Sequence, residues 1–474
     1  MSKIIPLFQE IPYQDPLNYF HAFSFSQNVV FFDSAKFHPT LGRYSFIGID
    51  PFSTLIYPND KMFRHRNNNL TIFDTLSHEL NRFSLETLPE LPPFQGGVAG
   101  FFSYDLARDL EKLPVFAVDD QHHPRLALGF YDLVVSFDHV QKKAWILSSG
   151  FPKQNEKKRR ERSHIRLQWC LKQLKNTVQC VYPTKAIVQT DKLTSNFSQL
   201  EYIKTVQKII EYILSGDVFE VNLSQRFQCI LPTTYSPFQL YLRLRHINPA
   251  TFSAYAHFSD TIIASSSPER FVKLDHWRVE TRPIKGTSKR ALNPDEDAQL
   301  ANALLASEKD RAENTMIVDL MRNDLSKVCL PNTVHVAQYC GLESYETVHH
   351  LVSSVEGLLD RQYNAVDLLC ATFPGGSITG APKIRAMELI DTLEPTRRGP
   401  YCGSMGYIGF DGCMDTSVLI RTYVIKNNVV TFQSGGAIVL RSDPEAEYEE
   451  TLIKAAALKR ALTDAIKTNH KIYA

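Results

Sequence analysis

The chain has 474 residues, of which 43% are hydrophobic and 22% charged, and its formal net charge is +1. This composition excludes a largely disordered chain, and the even charge balance gives no overall attraction to nucleic acid or anionic membrane. The N-terminus lacks a signal-peptide run and no stretch reaches the ~18 apolar residues that span a bilayer, so we expect a soluble cytoplasmic protein. The eight cysteines form no C-x-x-C pair, which predicts scattered reduced thiols.

The first part of the chain is predicted to be rich in strands. Short apolar or alternating runs at 29–34, 43–50 and 126–140 are typical of strands, and the glycines of 96–101 predict a tight turn or bulge. The basic segment 153–166 is predicted to be a solvated loop before an amphipathic helix over 165–175, and 181–198 has the composition of a linker. We therefore predict two regions, 1–180 and 195–465.

The second region is predicted to alternate long helices with strands. Ser198 and Glu201 fit a capping box ahead of apolar residues at helical spacing, and Gly216 ends this helix. Further helices are predicted over 295–325, 345–360, 364–372, 380–393 and 444–467.

Acidic residues in the second region are the first candidates for chemistry. Glu447, Glu450 and Lys454 are three and four residues apart, so they share one face of the last predicted helix. A surface ladder of salt bridges explains that spacing equally simply. Glu269 and Glu313 also lie in apolar segments, and clustered carboxylates need either a proton or a hard cation such as Mg²⁺.

Cationic and small residues form a second set of candidates. Arg421 lies in a strand-like segment upstream of Gly435 and Gly436, and this combination suits a bound carboxylate. Lys285 stands beside a glycine in the rigid segment 282–287, where a lysine serves equally well as an anion clamp, a nucleophile or a surface charge.

The loop over 375–383 is similar to a phosphate-binding loop but lacks its spacing. Ala381 and Pro382 separate the second glycine from the lysine, which excludes ATP binding by that device. Ser377 and Thr379 remain beside a predicted helix N-terminus, a place that favours a dicarboxylate as well as a phosphate.

Eight segments, taken together and in this order, resemble the chorismate-utilising enzyme family: 216–227, 265–271, 282–287, 310–325, 348–357, 373–390, 401–412 and 433–455. The first third of the chain matches more loosely, through 96–105 and the residues around Ser34. The resemblance implies an α+β fold like that of anthranilate synthase, in which two β-sheets pack together with helices outside.

The resemblance also implies a site. Mg²⁺ would be held by Glu313, Glu447 and Glu450, and Glu269 would protonate the leaving C4 hydroxyl of chorismate. The expected substrate contacts are Gly286, Thr287, Ser377, Thr379, Tyr401, Arg421, Gly435, Gly436 and Lys454.

Lys285 indicates which reaction to expect. Family members that aminate C2 carry alanine at this position, whereas members that aminate C4 carry lysine, whose amine attacks C2 before ammonia attacks C4. The resemblance thus implies 4-amino-4-deoxychorismate as product, for p-aminobenzoate and folate synthesis. C2 amination to anthranilate is the nearest alternative, and a catalytically silent tryptophan-binding subunit is another. Glu220 replaces a lysine of water-activating members and a glutamine of many amidating members, and its role stays open.

Two partners are implied in the same way. Ammonia would come from a separate glutamine amidotransferase subunit, because the chain carries no glutaminase nucleophile segment. The N-terminal region of family members can hold tryptophan, and the corresponding positions here are Ser34, Arg43, Tyr44 and Ser45. Ordinary strand and turn positions explain these four residues equally well.

Overall fold

The computed structural model describes residues 4–57, 71–175, 180, 182–291, 293–344 and 348–465. Its helices are α1 (Pro16–Phe20), α2 (Ile72–Asn81), α3 (Glu156–Leu174), α4 (Gln199–Leu214), α5 (Pro237–Ile247), α6 (Pro294–Ala306), α7 (Glu308–Ser326), α8 (Ala365–Thr372), α9 (Lys383–Leu393) and α10 (Pro444–Thr463). Its strands are β1 (Leu7–Ile11), β2 (Val29–Asp33), β3 (Tyr44–Gly48), β4 (Ser53–Tyr57), β5 (Gly97–Phe102), β6 (Leu126–Tyr131), β7 (Leu133–Asp138), β8 (Lys143–Ser148), β9 (Thr194–Ser195), β10 (Glu220–Ile230), β11 (Phe252–Phe258), β12 (Thr261–Ser267), β13 (Arg270–Asp275), β14 (Arg278–Thr281), β15 (Ile284–Lys289), β16 (His335–Ser344), β17 (Val348–Leu358), β18 (Gly380–Ala381), β19 (Ser404–Gly409), β20 (Met414–Val418), β21 (Thr422–Lys426) and β22 (Val429–Ile438).

Two antiparallel sheets form the centre of the molecule. The larger sheet has the order β1-β8-β7-β3-β2-β11-β12-β21-β22-β10-β18, with β9 beside β10. The second sheet has the order β15-β17-β14-β13-β20-β19-β5-β6-β4, with β16 beside β17. Each sheet takes strands from both predicted regions, 1–180 and 195–465, so the two regions share one framework.

The chain passes from one sheet to the other at polar residues. Between β6 and β7 stands Asp132, which is fully buried and accepts a 3.0 Å hydrogen bond from Arg166 of α3. Between β20 and β21 stands Arg421, whose φ of 53° bends the backbone. The apolar run predicted as a strand at 126–140 and the strand-like segment that contains Arg421 are therefore each two strands in different sheets.

Apolar side chains fill the space between the sheets and cover their outer faces. Phe46 of the larger sheet meets Tyr407 of the second sheet edge-on, with ring centroids 5.6 Å apart, and Phe94 stacks on Tyr407 at 4.5 Å. Such aromatic pairs contribute about 0.5–1.5 kcal/mol beyond the burial of their area. Helices α3, α5 and α10 contribute buried residues to the core of the larger sheet, and α2, α7, α8 and α9 to that of the second.

Most predicted helices are confirmed. Ser198 and Glu201 form the capping box of α4, and 364–372, 380–393 and 444–467 contain α8, α9 and α10. The helix predicted over 295–325 is two helices, because Ser307 ends α6 and caps α7 by accepting a hydrogen bond from Asp310 N.

Three local predictions are wrong. The helix predicted over 345–360 is strand β17 from Val348 onward, while 345–347 lie outside the described residues. The basic segment 153–166 is largely helical, because α3 already begins at Glu156. The glycines of 96–101 lie mainly in β5, where a Cβ on Gly100 would stand 2.0 Å from the carbonyl oxygen of Ala127, so they permit close strand packing.

No helix in the described ranges is long and apolar enough to cross a membrane. All eight cysteines are free thiols, as predicted.

Candidate active site

Lys285 lies where the edges of the two sheets meet. It belongs to β15, the edge strand of the second sheet, whose register on β17 shifts between Ile284 and Thr287. Gly286, with a φ of 83°, permits this irregularity. The Lys285 side chain is buried, and its Nζ donates a 2.8 Å hydrogen bond to Glu220 Oε1, at the start of β10 in the larger sheet.

The charge state of Lys285 is set by its acidic neighbours. Burial by itself lowers the pKa of Lys285, but the negative charges of Glu220, Glu313 and Glu269 outweigh burial, and the net pKa lies above the usual value. The resting lysine is therefore an ammonium ion. A lysine nucleophile must lose this proton before it attacks.

Glu269 is a buried carboxyl group near Lys285. It stands between β12 and β13, and its Oε1 accepts a 2.7 Å hydrogen bond from Ser377 Oγ. Burial raises the pKa of Glu269 to about 7, although the Ser377 hydroxyl and the Lys285 charge work in the opposite direction. A substantial fraction of Glu269 is thus protonated at neutral pH and can donate a proton.

The loop that carries Ser377 is held by its own polar groups. Thr379 Oγ1 donates to the carbonyl oxygen of Gly375 at 3.0 Å, so the hydroxyl of this predicted substrate contact is engaged within the loop. Lys383 Nζ donates to the carbonyl oxygens of Thr372 and Pro374, both at 2.9 Å. The glycine-rich loop is therefore fastened to α8 and α9, and Lys383 has a positioning role.

The three predicted metal ligands face one another across α7 and α10. Glu313 Oε1 and Glu447 Oε2 are buried and have no hydrogen-bond partner among the described residues. A Cβ on Gly436 would stand 3.1 Å from Glu447 Oε2 and 3.4 Å from Glu450 Oε1, so the glycine leaves room beside both carboxylates. Burial raises the pKa of Glu313 to about 7, Lys285 lowers it and Glu220 raises it further.

An ammonium group partly neutralises this acidic cluster. Lys309 Nζ lies 3.3 Å from Glu447 Oε1 and 3.9 Å from Glu313 Oε1. In the described part of the chain, the carboxylate oxygens of the three predicted ligands do not all lie within 4.8 Å of one another, whereas the ligand atoms of Asp275, His276 and Cys413 do. That second trio is half exposed, and Lys273 already pairs with Asp275 at 3.1 Å.

Cationic and polar groups border the cluster. Arg421 Nη1 donates to the carbonyl oxygen of Lys454, and burial lowers the pKa of Arg421, an effect that Tyr401 and Glu450 partly oppose. Lys454 Nζ lies 2.5 Å from Glu450 Oε1 and 3.1 Å from the carbonyl oxygen of Gly435. Thr287 Oγ1 lies 2.8 Å from His350 Nδ1.

A separate cavity lies between the sheets. Its volume is about 100 Å³. Its lining includes Ser34, Tyr44, Arg270, Asp415 and Tyr407, but neither Lys285 nor Glu269. Two of the four predicted pocket residues therefore line it.

The other two predicted pocket residues are engaged beside this cavity. Arg43 pairs with Asp138 at 2.7 Å, and Ser45 Oγ lies 2.7 Å from His139 Nε2.

Comparison with known proteins identifies the family. The family of chorismate binding enzymes matches residues 27–460. The chain belongs to this family. It is 38% identical over 429 residues to aminodeoxychorismate synthase component 1 of Bacillus subtilis, covering 89% of each chain. It is 40% identical over 378 residues to anthranilate synthase component 1 of Thermus thermophilus, covering 80% of each.

A solved structure supports the predicted fold of this family member. The crystal structure of anthranilate synthase component I from Streptococcus pneumoniae superposes with a TM-score of 0.78 at 30% identity, covering 90% of this chain and 93% of that chain. The predicted α+β fold with two packed sheets is confirmed.

Three side chains near the site were not assigned a role from the sequence. The sequence marks Glu220 as unusual but does not indicate that it is the partner of Lys285, which is 65 residues away. Lys309 lies one helical turn before Glu313, a spacing that does point to an ion pair. His350 lies on β17, and the pairing of β17 with β15 places it opposite Thr287. The sequence alone does not show this register.

Proposed function

We propose that this chain converts chorismate and ammonia to 4-amino-4-deoxychorismate, as component I of an aminodeoxychorismate synthase. The observation that carries this proposal is the buried Lys285, hydrogen-bonded to Glu220 and electrostatically coupled to the protonatable Glu269. A lysine and a carboxylic acid at one site supply the nucleophile and the acid that displacement of a hydroxyl requires.

The reaction follows from the roles of these residues. Neutral Lys285 Nζ attacks C2 of chorismate, the two ring double bonds shift, and the C4 hydroxyl leaves as water with a proton from Glu269. Ammonia then attacks C4, the double bonds shift back, and the C2–Nζ bond breaks. Lysine returns as a free amine, and one difficult displacement has become two easier ones.

Binding of chorismate requires cations at its carboxylates. Arg421 is half-buried, and Tyr401 and Glu450 favour its charge against the effect of burial. A substrate carboxylate would compensate the guanidinium, and Lys454 and the Gly435–Gly436 segment border the same space. The substrate contacts predicted from the sequence remain part of this proposal.

Mg²⁺ belongs to the proposal at Glu313, Glu447 and Glu450. The residues fit the ion, because two buried carboxylate oxygens have no partner among the described residues and all donors are hard oxygens. When bound, Mg²⁺ would neutralise a chorismate carboxylate beside this acidic cluster.

Product identity tests the proposed function. The purified chain is incubated with chorismate, MgCl₂ and ammonium chloride, and a pyridoxal-phosphate lyase is added to release p-aminobenzoate. We expect p-aminobenzoate only after lyase addition, and loss of that product in Lys285→Ala. Lys289→Ala, which removes an exposed lysine of the same strand, is the matched control.

Anthranilate is the outcome that would refute this assignment. The relative from Thermus thermophilus is as similar in sequence as the aminodeoxychorismate synthases, so identity alone does not choose between the two products. Fluorescent anthranilate from the wild-type chain, retained by Lys285→Ala, would mean that ammonia attacks C2 directly.

Two ligands complete the proposal. Ammonia is supplied by a glutamine amidotransferase subunit, in line with the component 1 names of the relatives. The proposed site for tryptophan is the cavity beside Ser34 and Tyr44, where Tyr407 forms an aromatic wall and the Arg270–Asp415 ion pair, 3.0 Å apart, lies in the lining. Calorimetric titration with tryptophan, compared with Ser34→Leu, tests the second ligand.

A further inference from the structure

Glu220 is a buried acid to which the proposed reaction so far gives no task. Its side chain is fully buried, Oε1 accepts the hydrogen bond from Lys285, and Oε2 has no hydrogen-bond partner among the described residues. A buried carboxylate with an unsatisfied oxygen costs stability, and such groups cluster at functional sites.

The backbone holds Glu220 in place. Glu220 of β10 pairs with Ala381 of β18, and Phe219 N donates to the carbonyl oxygen of Ala381 at 2.8 Å. A Cβ on Gly380 would stand 2.1 Å from the carbonyl oxygen of Glu220, so the glycine allows the two strands to approach. The carboxylate therefore meets Lys285 from a fixed strand, and a fixed position is what proton transfer requires.

The resting pair is not ready for nucleophilic attack. Lys285 holds a proton that must leave Nζ before its lone pair can form a bond to carbon. Of the acids that raise its affinity for this proton, Glu220 has the hydrogen bond to Nζ, while Glu269 Oε1 is occupied by Ser377. The other charged groups that face the pair are Glu313 and Asp310 of α7 and Glu450 of α10.

We propose that Glu220 is the general base of the reaction, taking the proton from Lys285 Nζ before attack and returning it when the lysine is released. This inference rests on the proposed function, because it assigns the step that prepares the Lys285 nucleophile.

The protons balance over one cycle. Transfer along the Nζ–Oε1 hydrogen bond gives neutral lysine and protonated Glu220. Attack at C2 makes Nζ a secondary ammonium, and the C4 hydroxyl departs as water with the Glu269 proton. Attack of ammonia at C4 releases neutral lysine, which regains the proton of Glu220, and the new C4 ammonium returns a proton to Glu269.

A base in the pair gives a distinctive pH profile. The pair has two states: a lysine ammonium with a glutamate anion, and a neutral lysine with a glutamic acid. Both states contain the same number of protons, so proton transfer within the pair does not depend on pH. Without the Glu220 carboxylate, the lysine must lose its proton to solvent. Loss of the Glu269 proton lowers both activities alike at alkaline pH, so activity relative to wild type then rises roughly tenfold per pH unit up to the pKa of the lysine.

The experiment compares wild type, Glu220→Gln and Glu220→Asp from neutral to strongly alkaline pH. Formation of 4-amino-4-deoxychorismate is measured at a constant concentration of free NH₃, with saturating chorismate and Mg²⁺. Glutamine keeps the size and a hydrogen-bond acceptor but is not a base, and aspartate keeps the base one methylene shorter. Circular dichroism and thermal unfolding establish that each variant is folded.

We expect Glu220→Gln to lose about 100-fold in kcat near neutral pH, the lower range of general base catalysis, and to approach wild type at alkaline pH. Glu220→Asp should keep the wild-type shape at a lower rate. Wild-type activity in Glu220→Gln near neutral pH, or an equal loss at every pH, would overturn the inference. A wild-type chain that makes no 4-amino-4-deoxychorismate would instead refute the proposed function itself.

Discussion

Replacing Glu269 by glutamine should stabilise the protein at alkaline pH while abolishing turnover. Burial raises the pKa of Glu269 from 4.5 to about 7. The folded state therefore binds more protons than the unfolded state between these two values. Its free energy of unfolding falls as pH rises through this window, and the loss is complete above the folded pKa.

The magnitude follows from that difference. At ~1.4 kcal/mol per unit, the ionised Glu269 costs about 3 kcal/mol at about pH 8 and under about 1 kcal/mol near pH 5. Glutamine does not ionise, and it keeps an acceptor for the Ser377 hydroxyl. Glu269→Gln should therefore exceed wild type in stability by about 3 kcal/mol at the higher pH.

Urea unfolding of wild type and Glu269→Gln at both pH values, with chorismate absent, measures this difference. Glu211→Gln, which removes an exposed carboxylate of α4, is the control. A Glu269→Gln variant that is less stable than wild type at about pH 8, or a stability difference that is the same at both pH values, would refute this prediction.

Three further predictions concern the surroundings of the site. Ser377→Ala removes a hydroxyl that stabilises the Glu269 carboxylate, so the pKa of Glu269 should rise and the alkaline limb of the kcat profile should move to higher pH; an unchanged limb would contradict this. Gly436→Ala places a methyl group against Glu447 and Glu450, and the Mg²⁺ concentration for half-maximal activity should rise about tenfold without loss of folding, as isothermal titration and circular dichroism would check. Arg398→Met leaves Glu394 buried without its 2.7 Å partner and should cost about 3–5 kcal/mol in urea unfolding, more than the double variant Arg398→Met with Glu394→Leu.

Local signals in the sequence predicted much of the fold. A capping box, apolar residues at helical spacing and a glycine stop located α4, and local sequence patterns also located α8, α9 and α10, because such signals depend on residues close together in the chain. The same reasoning placed Glu447, Glu450 and Lys454 on one helix face, and the structure has Lys454 beside Glu450.

Tertiary context explains the failure at β17. Val348, Leu351, Val352 and Val355 repeat at the spacing of a helix, a pattern that fits the wrong prediction over 345–360. In the structure, residues 351–355 are buried on both faces of the strand, so strict alternation of apolar and polar residues is not required. Neighbouring strands decide such a segment, and they are distant in sequence.

The site shows the same limit. Motifs identified Lys285 and Glu269, but the contact between Lys285 and Glu220 depends on how the edges of two sheets meet. Likewise, Lys309 was not predicted beside Glu447, because that approach joins α7 to α10 across 138 residues.

In the proposed reaction, Lys285 forms a covalent bond to the substrate. Chorismate and Mg²⁺ are mixed with the wild-type chain in the absence of ammonia, quenched with acid, and examined by intact-protein and peptide mass spectrometry. We predict an increase equal to chorismate minus water, located on the peptide that contains Lys285, absent in Lys285→Ala and retained in Lys289→Ala. An unmodified wild-type chain that still makes 4-amino-4-deoxychorismate when ammonia is added, together with equal activity of Lys285→Ala, would contradict it.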